Sequence, residues 1–228
     1  MGMQVWRSHL ITGQWFSHLP GSLQDSLLTA ARVRKLASGQ RLFKRGDPPC
    51  GLYAVLEGSV RIGAVSGQGK EALLSLVEAP HWFGEICLFD GQPRTHDAFA
   101  LSHCVLLHIP QSALLALLDS QPEYWRQLAL LMSQKLRLAF ISLEQLSLLP
   151  APARLAHRLL MIAEGYGEIV PPRRVLQLPQ EQLASMLSLS RQTTNQILNE
   201  LQSQGILALK YGEIEIVDAE RLRALATP

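Results

Sequence analysis

The sequence predicts an α+β protein with an N-terminal β-barrel or jelly roll, a long dimerisation helix and a C-terminal winged helix-turn-helix. Three observations predict it: evenly spaced β-type runs from Gln40 to about Pro110, a 4-3 apolar repeat from Trp125 to Leu146, and two short helical patterns joined by a tight turn between Leu178 and Leu207. The expected domains are 1–120, 121–149 and 150–228.

The first region carries Leu42-Phe43, Gly51 to Glu57, Ser59 to Val65, Glu71 to Val77 and Cys104 to Ile109, separated by Gly- and Pro-bearing turns. Such spacing belongs to antiparallel strands that close on themselves. Gly67-Gln68-Gly69-Lys70 has the look of a phosphate loop, but no helix pattern follows it, so it reads as a hairpin turn. Farther on, Trp125, Ala129, Met132, Leu136, Ala139, Leu143 and Leu146 recur at alternating spacings of 4 and 3. That repeat is a coiled-coil seam, and a parallel dimer along it would set two copies of the last domain on a common two-fold axis. A second apolar edge of Leu128, Leu131, Leu138 and Ile141 is suited to packing on the barrel. Pro150 and Pro152 then end the helix, because neither can donate the helical hydrogen bond.

In the last domain, Ala153 to Glu164 reads as an amphipathic helix, followed by Gly165-Tyr166-Gly167 and a Pro171-Pro172 turn. Leu183, Ala184 and Leu187 share one face of the next helix, which opens at Pro179. Ser190 caps a second helix in which Thr194, Ile197, Leu198 and Leu201 turn inward, and Gly205 closes it. Arg191, Gln192, Thr193, Asn195, Gln196 and Asn199 are left outward, a hydrogen-bonding first turn of the kind that reads base edges in a major groove. Ser188 takes the turn position and is expected to cost about 1 kcal/mol if the backbone there needs positive φ. Ile206 to Lys210 and Ile214 to Val217, around Tyr211-Gly212-Glu213, form a hairpin that flanks the helices as a wing and carries Lys210.

Composition narrows the classes. The net charge is +2, and from Pro150 onward 8 Lys+Arg face 8 Asp+Glu, so phosphate affinity has to come from local placement of Arg173, Arg174, Arg191 and Lys210. The longest apolar run, Ala113 to Leu118, is far short of the ~18 residues of a membrane span, and no leader pattern opens the chain; a cytoplasmic protein without membrane contact is expected. Cys50, Cys87 and Cys104 lack metal or disulfide spacing and read as structural thiols. No nucleophile, base and orienter can be assembled, so no enzyme and no metal site is expected.

Phe83-Gly84-Glu85-Ile86-Cys87-Leu88-Phe89-Asp90-Gly91-Gln92-Pro93-Arg94-Thr95 supplies a glycine where backbone can approach a ligand, a carboxylate that can accept ribose hydroxyls, and an arginine fork suited to a phosphate diester. With the barrel before it, this stretch resembles the phosphate-binding cassette of cyclic-nucleotide-binding domains. With the dimer helix and winged helix after it, the chain from about Phe16 to Leu225 resembles the Crp/Fnr superfamily of bacterial transcription regulators. The resemblance implies that Gly84 and Glu85 face the ribose and that Arg94 and Thr95 hold the cyclic phosphate. It also implies that Arg191 contacts guanine, and that a homodimer binds palindromic double-stranded DNA and engages RNA polymerase. Ala139 and Phe140 stand where cAMP-responsive members carry hydroxyl residues toward the adenine, and Asp97 follows close on Thr95. Three outcomes stay open for the cassette: cAMP or another cyclic nucleotide held differently, another anion, or a structural loop in which Arg94 pairs with Glu85. Gln192 and Gln196 imply a changed half-site, since glutamine favours adenine. An iron–sulfur cluster is disfavoured because no amino-terminal cysteine cluster exists, and heme would need His81, His96 or His103. The competing function is a nucleotide-sensing regulatory subunit whose winged helix binds protein.

Overall fold

The computed structural model describes residues 3–65, 71–167 and 172–227. The expected hairpin at Gly67–Lys70 and the first residue of the Pro171-Pro172 turn lie outside them. Two compact units form, residues 1–136 and 137–228.

The first unit opens with helices α1 (Met3–Leu10), α2 (Gln14–Ser17) and α3 (Gly21–Ala30). Strands β1 (Arg32–Leu36), β2 (Arg41–Phe43), β3 (Gly51–Glu57), β4 (Ser59–Val65), β5 (Glu71–Glu78) and β6 (Trp82–Phe83) follow. They lead to helix α4 (Ile86–Asp90), strands β7 (Asp97–Ala100) and β8 (Cys104–Pro110), and helix α5 (Gln111–Ser120). The strands make two antiparallel sheets, ordered β1-β8-β3-β6 and β2-β7-β4-β5. Strand β3 explains the layering. Its residues are buried on both faces, with Tyr53 and Val55 packing between the sheets beside Phe43, Val60, Phe83 and Leu106. Leu52, Ala54 and Leu56 point the other way, onto Phe16, Leu23, Leu114, Leu128 and Leu131. The period-2 geometry of a strand divides one apolar run between two cores in this way.

After a 3₁₀ turn at Pro122–Tyr124, helix α6 (Trp125–Leu148) carries the chain out of the first unit. Leu128 and Leu131 of the expected second edge are buried in the helical core, while Ile141 is exposed. Of the expected seam, Trp125, Ala129 and Met132 are half-buried, and Leu136, Ala139, Leu143 and Leu146 are exposed. Trp125 lies against Phe89, 5.4 Å between ring centroids.

The second unit contains α7 (Ala151–Ala163), β9 (Val175–Gln177), α8 (Gln180–Leu187), α9 (Arg191–Ser203), β10 (Leu207–Lys210), β11 (Glu213–Ile216) and α10 (Ala219–Ala226). The wing is a three-stranded antiparallel sheet, ordered β10-β11-β9. Its third strand, β9, and the flanking helix α10 are additions to the hairpin that the sequence pattern predicts.

Candidate nucleic-acid interface and effector site

Ser190 starts helix α9. Its backbone is extended (φ −71°, ψ 152°), and its hydroxyl accepts from the Thr193 amide at 3.0 Å, which satisfies one of the amides a helix start leaves unpaired. Thr193 closes the same cap through its own hydroxyl, 2.8 Å away, so Ser190 and Thr193 are engaged with each other. Thr194, Ile197, Leu198 and Leu201 are buried, and the Thr194 hydroxyl donates to Ser190 O at 3.0 Å. Arg191, Gln192, Asn195, Gln196 and Asn199 are exposed along the opposite face. Between α8 and α9, Ser188 adopts the left-handed conformation (φ 53°, ψ 37°). Gly205 ends the second helix at φ 71°.

Arg191 is held from behind: its Nη2 donates to Glu181 Oε2 of α8 at 2.5 Å. Both side chains are about two-thirds exposed, and pairs of that kind are worth only ~0–1 kcal/mol. The carboxylate therefore steers the guanidinium without committing it. Lys210 stands 3.7 Å from Glu215 on the wing, with its side chain 66% exposed. Arg173 and Arg174 are exposed as well.

The cassette is built around Gly84, which bends the chain at φ 99° between β6 and α4. A Cβ there would stand 2.9 Å from Gly51 O and 3.0 Å from Arg94 Nη1, so only glycine fits. Glu85 is 1% exposed, and its Oε2 accepts from Lys135 Nζ of α6 at 2.6 Å. Arg94 is 4% exposed and points inward. Its Nη1 donates to Gly84 O (2.9 Å) and Cys87 Sγ (3.8 Å), and its Nη2 to Gly51 O (2.6 Å) and Cys50 Sγ (3.0 Å). The guanidinium carbon lies 4.5 Å from the Phe43 ring centre and 5.8 Å from that of Tyr53. The expected structural pairing of Arg94 with Glu85 is therefore corrected: Glu85 takes Lys135, and Arg94 takes carbonyls, sulfurs and rings. Lys135, fifty positions away in sequence, carries no local motif that could have announced it.

Thr95 is exposed, its hydroxyl 2.9 Å from His96 Nδ1. Asp97 accepts from the Arg45 amide at 2.9 Å, which removes part of its hydrogen-bonding demand from the cassette. Burial, then the charge of Arg45, lowers the pKa of His96 below its ordinary value. His81 lies 2.9 Å from Glu78 O. Among the described residues, no three His, Cys, Asp or Glu side chains gather as a metal site, and no helix is long and apolar enough to cross a membrane.

Residues 33–121 match the family model of the cyclic nucleotide-binding domain, and residues 153–225 that of the Crp-like helix-turn-helix domain. The chain is 31% identical over 186 residues to the CRP-like cAMP-activated global transcriptional regulator of Mycobacterium tuberculosis, covering 81% of this chain and 83% of that protein. It is 30% identical over 203 residues to the cyclic AMP receptor protein of Thermus thermophilus, covering 89% and 91%. Among solved structures, a CRP/FNR family transcriptional regulator from Thermus thermophilus superposes with a TM-score of 0.70 at 28% identity, covering 86% of this chain and 99% of that one. FixK2 from Bradyrhizobium japonicum, at 20% identity, shares the fold with a TM-score of 0.77 over 87% and 98%.

Proposed function

This chain belongs to the Crp/Fnr family of DNA-binding transcription regulators, and from that premise we propose that it works as a cytoplasmic homodimer on palindromic DNA, under control of an anionic effector at the cassette. The observation that carries the DNA assignment is the recognition helix: a capped first turn with Arg191, Gln192, Asn195 and Gln196 exposed and no apolar residue among them. Arg191 exchanges its pair with Glu181 for the O6 and N7 acceptors of guanine, whose fork-shaped geometry it matches. Ser190 and Thr193 keep the first turn in shape. Lys210 supports the wing on the phosphate backbone.

The exposed apolar run on α6, with Leu136 at 52%, Phe140 at 61% and Leu143 at 58%, supports a dimer along that helix. Two copies on a two-fold axis present two recognition helices to successive major grooves, and RNA polymerase is the protein partner in this reading.

The effector is an anion, with cyclic nucleotides, cAMP foremost, as its class. Arg94 supports this: a buried guanidinium with no carboxylate paired to it among the described residues is a cation that wants a partner. A phosphate at Arg94 and Thr95 would supply it, at the expense of the contacts to Gly51 O and Gly84 O. Ribose hydroxyls at Gly84 and Glu85 would compete with Lys135 for the carboxylate.

Fluorescence anisotropy of labelled duplex DNA across a salt series tests the reading. Affinity should fall steeply with salt, and Lys210→Ala should reduce the slope by about one for each phosphate left without its cation. Affinity independent of salt would point to a winged helix that binds protein. Calorimetry with cAMP and cGMP tests the effector, and Arg94→Gln should abolish the heat.

A further inference from the structure

Arg94 lies between two thiols. Cys50 Sγ accepts from Nη2 at 3.0 Å, and Cys87 Sγ receives a longer contact from Nη1 at 3.8 Å. Every other partner of the guanidinium is uncharged: Gly51 O, Gly84 O, and the rings of Phe43 and Tyr53. The Arg94 Nε is buried without a hydrogen-bond partner. A buried cation with only neutral neighbours stabilises negative charge on any adjacent group that can carry it, and the nearest such group is the Cys50 sulfur.

The three cysteines differ in reach. Cys104 is fully buried and bonded to Ser59 O at 3.0 Å. Cys87 is 3% exposed, and burial raises its pKa against the pull of Arg94. Cys50 is half-buried, the least enclosed of the three. The Tyr53 hydroxyl lies 3.2 Å from the same sulfur, and the fully buried Tyr53 ring stacks on His108 with 4.5 Å between centroids. The sulfur is therefore held between a cation and a phenol, the latter on strand β3.

We propose that Cys50 is a site of oxidation by hydroperoxides, with Arg94 as the counter-charge for the product. The Cys50 sulfur attacks the terminal peroxide oxygen; the S–O bond forms as the O–O bond breaks. The departing oxygen takes the thiol proton and leaves as an alcohol, or as water from hydrogen peroxide. Sulfur loses two electrons and the peroxide gains them, leaving a sulfenic acid. Its ionised oxygen takes the Nη2 hydrogen bond and gives Arg94 the anion it lacks. Where the cassette takes an anionic effector, as proposed above, the modified thiol competes with that effector for the same guanidinium.

The test treats the reduced full-length protein, free of nucleotide, with hydrogen peroxide in the presence of dimedone, and locates adducts by mass spectrometry. Adducts should form on Cys50 in preference to Cys87 and Cys104, about tenfold faster than on Cys50 of the same chain unfolded in urea at the same pH. Folded Arg94→Gln, checked by circular dichroism, should lose that advantage, and the unfolded wild-type chain provides the comparison without any substitution. No adduct on Cys50, a native rate at or below the unfolded rate, or an undiminished rate in Arg94→Gln overturns the proposal. Because no nucleotide is present, none of these results bears on whether the cassette binds one.

Discussion

Ser188 provides a stability prediction that can be worked from backbone geometry. It joins the two helices of the DNA-reading motif in the left-handed region, at φ 53° and ψ 37°. For a residue with a Cβ, that conformation costs about 1–2 kcal/mol. The side chain is exposed, and its hydroxyl makes no hydrogen bond among the described residues, so nothing offsets the cost. Ser188→Gly removes the clash but frees the unfolded chain, which takes back about 0.4–1 kcal/mol. The balance is a gain of about 0.8 kcal/mol, or a rise of roughly 3–6 °C in the melting temperature of the DNA-binding unit. Thermal denaturation of the full chain followed by circular dichroism measures it, and DNA affinity measured alongside should be unchanged. If the variant melts at or below wild type, the left-handed turn is not strained and the reasoning fails.

Ser190→Ala, which removes the cap on the Thr193 amide, should cost about 1 kcal/mol in the same melt. Leu136→Glu should give monomers in sedimentation, because a carboxylate within an apolar seam carries a desolvation cost; an undiminished dimer would place the interface elsewhere. Lys135→Met leaves the Glu85 carboxylate buried without its cation and should cost about 2 kcal/mol, less than the ~3–5 of a fully buried pair because Lys135 is 38% exposed; adding Glu85→Gln should recover most of the loss. His96 and His108 both have pKa values lowered from 6.5, chiefly by burial. The unfolded chain therefore takes up their protons first, so stability should be lost as pH falls below about 6.5, with a shallower slope in His108→Gln.

Helix α9 is legible in the sequence because its signals are local: the Ser190 cap, inward residues at helical spacing and Gly205 all lie within one short stretch. Strands β3, β4, β5 and β8 are legible for the same reason, as apolar runs bounded by turns. Strand β1, Arg-Val-Arg-Lys-Leu, is not, because an edge strand exposed over its first four residues has no apolar pattern to read. Strands β6 and β9 are too short to show a period, and they form because longer strands offer them hydrogen bonds. In the cassette, residue types could be read but not their partners. The Glu85–Lys135 pair and the Arg94–Gly51 contact each bring together residues more than forty positions apart, which only the folded sheets and helix α6 accomplish.

Selection of binding sites from random duplexes tests most directly whether α9 reads DNA bases through Arg191. The wild-type chain should recover two-fold symmetric sequences whose half-sites lie about one helical turn, ~34 Å, apart. Arg191→Ala should lose about 1–3 kcal/mol on those sequences and discriminate less at one base pair in each half-site, with nonspecific affinity falling much less. Recovered sequences without two-fold symmetry, or an Arg191→Ala chain that selects the same bases as wild type, would contradict that reading.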